Sequence, residues 1–222
     1  MLSHDEARAF YDRFGSRQDL QAFYEDSVLR ELLAYGAFGK ATSVLEFGCG
    51  TGRFAQALLS DHLPLSATYL GFDVSSTMVE LATERLRSFG PRAEVRQCDG
   101  APRLPVEEAA FDRVVSNYVL DLLSEDDIEA FLHEAGRVLR SSGLLCVTGL
   151  TRGPRPLSRL VSWIWSRVQA IRPILVGGCR PVVVVHHLPG DGWRVRHHGV
   201  VVAWGIPSEV LVAERVDSER TA

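Results

Sequence analysis

Three glycines at alternate positions follow a short apolar run and precede a helical pattern. The run is 43–47, the glycines are Gly48, Gly50 and Gly52, and Phe54 opens the helical pattern. Glycines let a ligand approach the backbone closely, and the first N–H groups of a helix have no partner within the helix. Residues of these types in this order predict a binding site for a polar ligand.

The spacing of the glycines separates three classes of ligand. A dinucleotide-binding fingerprint has glycine or alanine three residues after its second glycine, and that position here is Arg53. A Walker loop ends in Gly-Lys-Ser/Thr, but the single lysine of the chain, Lys40, precedes the apolar run. The remaining pattern is an acid, Glu46, followed by glycines at 48, 50 and 52. It resembles the first motif of class I S-adenosylmethionine-dependent methyltransferases.

An aspartate at the end of the next apolar run suits the ribose of such a cofactor. Asp73 ends the run 67–72 and lies 21 residues after Gly52 (73 − 52), close to the spacing of about 20 residues for an acid that binds a ribose. The alternative is that Asp73 caps the following helix. Ser75 or Ser76 can supply that cap instead, which leaves the Asp73 carboxylate free for the ribose hydroxyls.

Two further polar residues end later predicted strands. Asp99 follows the strand predicted at 93–98, and the resemblance implies that it binds the adenine amino group. Asp99-Gly100 is also an ordinary turn pair. Asn117 leaves the strand predicted at 111–116, at the edge where doubly wound sheets bind ligands. It would line the methionine end of the cofactor or cap the next turn.

The resemblance implies a complete cofactor site. Related enzymes often carry an N-terminal tyrosine-aspartate pair near the methyl donor, and Tyr11-Asp12 is similar; the alternative is that Tyr11 only packs in a helical cap. The implied site is Tyr11, Glu46, Gly48, Cys49, Gly50, Gly52, Asp73, Val74, Met78, Asp99, Gly100 and Asn117. No catalytic residue is assigned. Tyr11, Asp121 and the histidines are candidates for a base, which is needed only if the acceptor keeps its proton at neutral pH.

Apolar runs that alternate with helical patterns predict an α/β fold. We expect a Rossmann-like, doubly wound, seven-stranded and mostly parallel sheet that ends in an antiparallel hairpin. The predicted strands are 43–47, 67–72, 93–98, 111–116, 144–150, 193–204 and 209–216. A helix is predicted at 125–139, followed by a turn at 140–143. The four valines at 182–185 favour a strand by propensity, but the family usually has a helix there, and we expect a helix.

The chain is predicted to form a single methyltransferase domain over 1–222. An N-terminal helical cap, 1–42, contains two helices divided near Gly15. The cofactor-binding core is 43–150, and 151–222 contributes an acceptor-side helix and the terminal hairpin. The cap would either pack at the edge of the domain or cover the cofactor.

Composition narrows the classes of partner. The net charge of −4 gives no electrostatic signature of nucleic-acid binding. The four cysteines lack ligand spacing, and adjacent histidines in a strand face opposite sides, so we expect no metal site. The N-terminus lacks the apolar region of a secretory signal, and no apolar run approaches the ~20 residues of a membrane span. These features predict a cytoplasmic protein.

The nature of the acceptor is predicted from an arginine-rich stretch. Residues 143–190 contain no acid but six arginines. Within them, 156–172 has the pattern of an amphipathic helix, on which Trp163 lies between Arg159 and Arg167 outside the apolar arc. One interpretation is an ordinary pocket wall with solvated arginines. The other is a helix that contacts a membrane surface or an anionic, lipophilic acceptor.

These observations predict methyl transfer from S-adenosylmethionine to a small, lipophilic acceptor such as a quinone, a lipid amine or a thiol. The alternative from another class is a non-enzymatic or regulatory protein that retains the fold and the cofactor site. A dehydrogenase on a similar core is disfavoured by Arg53 at the third glycine position.

Overall fold

The computed structural model describes residues 4–15, 18, 22–153 and 179–216. The strands are β1 Ser43–Phe47, β2 Thr68–Asp73, β3 Ala93–Gln97, β4 Phe111–Asn117, β5 Leu139–Leu150, β6 Trp193–Ala203 and β7 Ile206–Arg215. The helices are α1 His4–Phe14, α2 Ala22–Tyr35, α3 Arg53–Ala57, α4 Ser76–Leu86 and α5 Glu125–Val138. A π-helical turn, Leu58–His62, continues α3, and short 3₁₀ turns cover Phe38–Lys40, Arg87–Arg92 and Val184–His187.

The strands form one seven-stranded sheet in the order β3-β2-β1-β4-β5-β7-β6. The pairs among β1 to β5 are parallel, whereas β7 pairs antiparallel with both β5 and β6. The chain builds outward from β1 to β3 and then returns to place β4 on the other side of β1. The predicted doubly wound, mostly parallel sheet with a terminal antiparallel hairpin is therefore confirmed, and its switch point lies between β1 and β4.

Helices cover both faces of the sheet, so its central strand is apolar and fully buried. All five residues of β1 are buried. One face packs against α2 and α4 through residues such as Val28, Leu32 and Ala82. The other packs against α5, whose Ile128 and Phe131 are almost completely buried. Burial on both faces explains why these strands read as continuous apolar runs.

The predicted boundaries are shifted at two places. Strand β5 begins at Leu139, so the turn predicted at 140–143 lies inside the strand. The pairing with β4 jumps from Phe111↔Leu139 to Arg113↔Leu144, and Ser142 has a φ of 62°. The extra residues form a bulge, so the chain turns at the predicted place without ending the strand.

The hairpin connection between β6 and β7 is shorter than predicted. Trp204 and Gly205 form a two-residue turn with φ angles of 54° and 83°. Two successive positive φ angles match the right-handed twist of the paired strands, so the strands continue to the turn. Pro207, predicted within the connection, therefore lies in β7, opposite Val202.

The helix expected at 182–185 is found as a single 3₁₀ turn, Val184–His187, two residues later. Its position is determined by Glu209 of β7. The buried carboxylate of Glu209 accepts hydrogen bonds from the N–H groups of Val184 (2.6 Å) and Val185 (3.2 Å). The valine-rich strand alternative is thus wrong, and the helix is shorter and displaced.

The amphipathic helix predicted at 156–172, including Trp163, lies outside the described residues. Within the ranges that the structure describes, no helix combines the length and the apolar composition needed to cross a bilayer. In the same ranges, no group of three or more His, Cys, Asp or Glu side chains is arranged to hold a metal ion.

Candidate cofactor-binding site

A cleft with two connected hollows lies at the carboxyl ends of β1, β2 and β4. The larger hollow, here called the wide cleft, has a volume of about 730 Å³, which includes the space at its opening to solvent. It is lined by Tyr11, Gln18, Phe47, Gly48, Asp73, Val74, Cys98, Gly100, Asn117, Tyr118, Val119, Leu122 and Leu123. The second, the side hollow, is lined by Gln18, Glu25, Leu29, Glu46, Gly48, Cys49, Gly50, Thr51, Arg53, Phe54, Asn117 and Tyr118. The cleft occupies the crevice that the reversal of strand order opens.

The glycine loop contributes to the walls of both hollows: Gly48 lines both, and Gly50 lines the side hollow. Gly48, Gly50 and Gly52 all have positive φ angles, of 77°, 53° and 75°. A Cβ atom on Gly48 would lie 2.2 Å from Val119 Cγ2, and one on Gly50 would lie 3.0 Å from Gln18 Oε1. The positive φ angles therefore favour glycine at 48 and 50, and at 48 the space beside Val119 requires it as well.

Asp73 is buried at the end of β2, and its carboxylate organises the glycine loop. Oδ2 accepts a hydrogen bond from the Gly50 N–H (2.8 Å), and Oδ1 accepts one from the Ser75 N–H (3.0 Å). The Ser75 hydroxyl accepts from the Met78 N–H and caps α4, as the sequence predicts. Burial raises the pKa of Asp73, and the two N–H donors oppose this increase. Each carboxylate oxygen keeps a second lone pair for a ligand hydroxyl.

Glu46 and Asn117 belong to a buried chain of hydrogen bonds. The Tyr69 hydroxyl donates to Glu46 Oε2 (2.6 Å), and Asn117 Nδ2 donates to Glu46 Oε1 (3.1 Å). The Thr148 hydroxyl donates to Asn117 Oδ1 (2.9 Å), which orients the amide. Burial raises the pKa of Glu46 to about 7, against the hydrogen bonds from Tyr69 and Asn117. Glu46 thus holds Asn117 in place at the wall shared by both hollows.

The structure brings nine of the twelve predicted cofactor residues to the walls of the cleft. Gly52, Met78 and Asp99 are the other three. Gly52 packs beneath α4, where an added Cβ would lie 3.0 Å from Ala82 Cβ, and Met78 is buried within α4. Asp99 is exposed, and its Oδ1 accepts from the Ala101 N–H (2.9 Å), which is the ordinary turn arrangement. Its assignment to adenine remains a prediction.

The sequence reasoning missed several wall residues. Gln18 lines both hollows, and Tyr118, Leu122 and Leu123 supply an apolar wall of the wide cleft. Tyr118 has a φ of 55°, which an ordinary strand exit would not suggest. Its hydroxyl donates to Ser208 Oγ (3.1 Å) of β7, a contact that becomes visible only once the sheet is assembled.

The N-terminal cap is bonded to the loops that surround the cleft. Arg53, at the start of α3, pairs with Glu25 (3.0 Å) and Asp26 (2.6 Å) of α2. On the other side, the Ser75 hydroxyl donates to Asp12 Oδ1 (2.6 Å) of α1. Arg53 argues against a dinucleotide-binding loop in the sequence. In the structure its two ion pairs attach the start of α3 to α2.

We expect the Arg53 pair to stabilise the docking of α2. In a double-mutant cycle of Arg53→Met with Glu25→Gln, the coupling free energy of unfolding should be about 1 kcal/mol, because Glu25 is largely buried. The exposed pair of Glu84 in α4 with Arg87, which directly follows that helix, is the control, with an expected coupling of about 0.3 kcal/mol. Denaturant titration measures both. Equal couplings would show that the Arg53 pair is an ordinary surface contact.

The described residues fit S-adenosylmethionine by their shape and their polar groups. Gly48 and Gly50 present backbone without side chains at the walls of the hollows, and Asp73 offers carboxylate lone pairs for hydroxyl donors. The side hollow contains a buried acceptor, Gln18 Oε1, that has no hydrogen-bond partner among the described residues. S-adenosylmethionine is an adenosine joined to a charged amino acid. The apolar wall and the carboxylate at the strand end suit the adenosine, and the polar side hollow suits the amino acid.

Comparisons with known proteins support this fit. A family model described as "Methyltransferase domain" matches residues 44–143. A malonyl-[acyl-carrier protein] O-methyltransferase from Hahella chejuensis is 34% identical over 181 residues, which cover 75% of this chain and 62% of the relative. The corresponding protein of a Marinomonas species is 31% identical over 66% of this chain and 52% of its own length. The chain thus spans between about half and five-eighths of these relatives.

One relative with a different printed name and one solved structure are also similar to this chain, and both are methyltransferases. The ubiquinone/menaquinone biosynthesis C-methyltransferase UbiE of Bordetella parapertussis is 29% identical over 72% of this chain and 63% of its own length. A geranyl diphosphate methyltransferase solved with its substrate and sinefungin has a TM-score of 0.67 at 16% identity, over 86% of this chain and 78% of that chain. At this identity the solved structure shows the fold alone. With the glycine loop, the buried acid of β2 and the sheet order, these matches identify residues 44–143 as a methyltransferase domain of the class I S-adenosylmethionine-dependent type.

Proposed function

We propose that this protein transfers a methyl group from S-adenosylmethionine to a small, lipophilic acceptor such as a quinone, a lipid amine or a thiol. The observation that carries the proposal is the apolar wall of the wide cleft. Val119, Leu122 and Leu123 follow β4 and line the same hollow as Asp73 and Gly48. An acceptor on this wall would thus lie beside the site that fits the cofactor.

The residues of the cleft would act mainly by binding and alignment. When bound, the cofactor supplies an electrophilic sulfonium methyl group for in-line displacement by a nucleophile. The glycine loop and Asp73 would hold the adenosine, while Tyr11 and Tyr118 shield the cleft from water. Burial raises the pKa of both tyrosines, so their phenols stay protonated at neutral pH. Tyr11 therefore suits a wall or hydrogen-bond donor better than a general base.

The other candidate bases are less well placed. Asp121 is buried and is absent from both walls of the cleft. His197 and His198 lie on β6, where Glu31 and Glu209 are their respective hydrogen-bond partners. No catalytic residue is therefore assigned. An amine or a thiol keeps its proton at neutral pH, and this proton would leave to solvent as the acceptor is methylated.

The acceptor is tested by transfer of a radiolabelled methyl group. Purified protein and methyl-labelled S-adenosylmethionine are incubated together with one acceptor at a time. The acceptors are a demethylated quinone in its reduced quinol form, phosphatidylethanolamine, a hydrophobic thiol and malonyl-[acyl-carrier protein]. We expect label in an organic-soluble product. Transfer only to malonyl-[acyl-carrier protein], which the names of two relatives suggest, would contradict a small lipophilic acceptor. Tight binding of the cofactor with transfer to none of these acceptors would favour the non-enzymatic alternative.

We also infer that the protein works in the cytoplasm, does not bind nucleic acid and meets its acceptor at a membrane surface through 156–172. The net charge of −4 and the arginines of that stretch support this inference. Flotation with anionic vesicles at low salt tests it, with the triple variant Trp163→Ala, Arg159→Ala and Arg167→Ala as the comparison. Equal recovery of both proteins in the vesicle-free fraction would contradict the membrane contact.

A further inference from the structure

The side chain of Gln18 lies over the glycine loop, between the two hollows. It lines both of them. A Cβ atom on Gly50 would lie 3.0 Å from Gln18 Oε1 and 3.1 Å from Nε2, so the amide group is in close contact with the loop. A ligand that extended from the wide cleft into the side hollow would therefore pass beside Gln18 and contact its side chain.

The amide oxygen of Gln18 is buried and has no hydrogen-bond partner within the part of the chain that the structure describes. An unpaired buried acceptor is unfavourable, and most such atoms in folded proteins have a partner. The two acidic side chains of the side hollow already have partners. Glu46 accepts hydrogen bonds from Tyr69 and Asn117, and Glu25 pairs with Arg53. Gln18 Oε1 is thus the acceptor in this hollow that a ligand donor would satisfy.

The lining of the side hollow indicates which donor of the cofactor this would be. Its walls carry the carboxylates of Glu25 and Glu46 and one cationic group, Arg53, which is paired with Glu25. The acidic groups outnumber the cationic one, and this balance favours a cationic donor. The ribose hydroxyls belong with Asp73, which lines the wide cleft and not the side hollow. The adenine amino group is predicted at Asp99, after β3, and Asp99 does not line the side hollow either. The remaining donor of S-adenosylmethionine is the ammonium group of its amino-acid end.

We propose that Gln18 binds the amino-acid end of the cofactor, its Oε1 accepting a hydrogen bond from the cofactor ammonium. The residue that completes the cofactor site then comes from the N-terminal cap and not from the core. This contact would form regardless of which acceptor is methylated, so it does not depend on the proposed acceptor.

Two ligands separate the ammonium from the rest of the cofactor. S-adenosylhomocysteine carries the amino-acid end, whereas 5′-methylthioadenosine has the same adenosine without it. Isothermal titration calorimetry with Gln18→Leu should show a loss of affinity of about tenfold or more for S-adenosylhomocysteine, because a charge-assisted bond is removed. The affinity for 5′-methylthioadenosine should change less than about twofold. Gln18→Glu, which keeps an acceptor oxygen, should retain the affinity for S-adenosylhomocysteine.

Gln56→Leu, which alters an exposed glutamine of α3, is the matched control and should leave both affinities unchanged. Equal losses for the two ligands in Gln18→Leu would overturn the proposal, since Gln18 would then contact the adenosine or only shape the loop. Unchanged affinity for S-adenosylhomocysteine would also overturn it. Matching thermal unfolding curves of the variants exclude a general loss of folding.

Discussion

Replacing Asp73 by alanine is expected to weaken the binding of S-adenosylhomocysteine by about 1.5–3 kcal/mol, between about tenfold and a hundredfold. Two effects combine in this loss. The ribose hydroxyls lose a charged acceptor, and the Gly50 N–H loses the carboxylate that orders the glycine loop. Calorimetry with purified protein measures the affinity, and the Asp73→Asn variant separates the charge from the shape of the side chain.

Asp99→Ala is the matched control for this experiment. Asp99 also follows a parallel strand at the same edge of the sheet, but its side chain is exposed and accepts a hydrogen bond from the Ala101 N–H. We expect at most a small loss of affinity for this variant. If Asp99→Ala weakened binding as much as Asp73→Ala, the adenine contact predicted from the sequence would be supported. Undiminished binding by Asp73→Ala would refute its assignment to the ribose.

The free energy of unfolding is expected to fall as the pH rises from about 4.5 to 7. Burial raises the pKa of Asp121 from 3.8 to about 7 and that of Glu46 from 4.5 to about 7. Below the unfolded values both groups are protonated in both states, and their full contribution to stability is present. At higher pH the unfolded chain releases protons that the folded chain retains, so stability decreases until the folded pKa is passed. Each group would contribute on the order of a few kcal/mol.

Asp121→Asn is expected to flatten this pH dependence. The variant has no carboxylic proton to release, while the Asn oxygen can still accept from the Leu150 N–H, as Asp121 Oδ2 does at 3.3 Å. Chemical denaturation at pH 5, 6, 7 and 8 measures the slope, and Asp61→Asn controls for the removal of one exposed negative charge. The expectation fails if Asp121→Asn and the unaltered protein lose stability equally between pH 5 and 7.

The core of the fold and half of the cofactor site follow from local sequence. The strand, the glycine loop and α3 are contiguous, and the left-handed φ angles of Gly48 and Gly50 demand glycine whatever lies around them. The cap of α4 by Ser75 is equally local, because it joins residues three positions apart. The fold class, the cofactor and the place of Asp73 at the end of β2 could therefore be predicted without coordinates.

The second half of the site depends on residues that are distant in sequence. Gln18 meets Gly50, and Arg53 meets Glu25, only because the cap folds back over the glycine loop. Neither pair has a periodic or motif signal, since a single side-chain contact between distant segments leaves no spacing to read. The same holds for the orientation of Asn117, which depends on Glu46 and Thr148 from two neighbouring strands.

The sequence alone thus determined that this protein has a methyltransferase core with a buried strand and a glycine loop, and it predicted an acid at the end of β2 that would bind a ribose. The tertiary structure decided which hydrogen bonds the acidic residues of this edge of the sheet make within the protein. The carboxylate of Asp73, expected to be free, also orders the loop through the Gly50 N–H. Asp99, expected in the cleft, stays in a solvent-exposed turn. Motifs specify the type and spacing of residues along the chain, whereas burial and hydrogen-bond partners depend on which segments the sheet brings together.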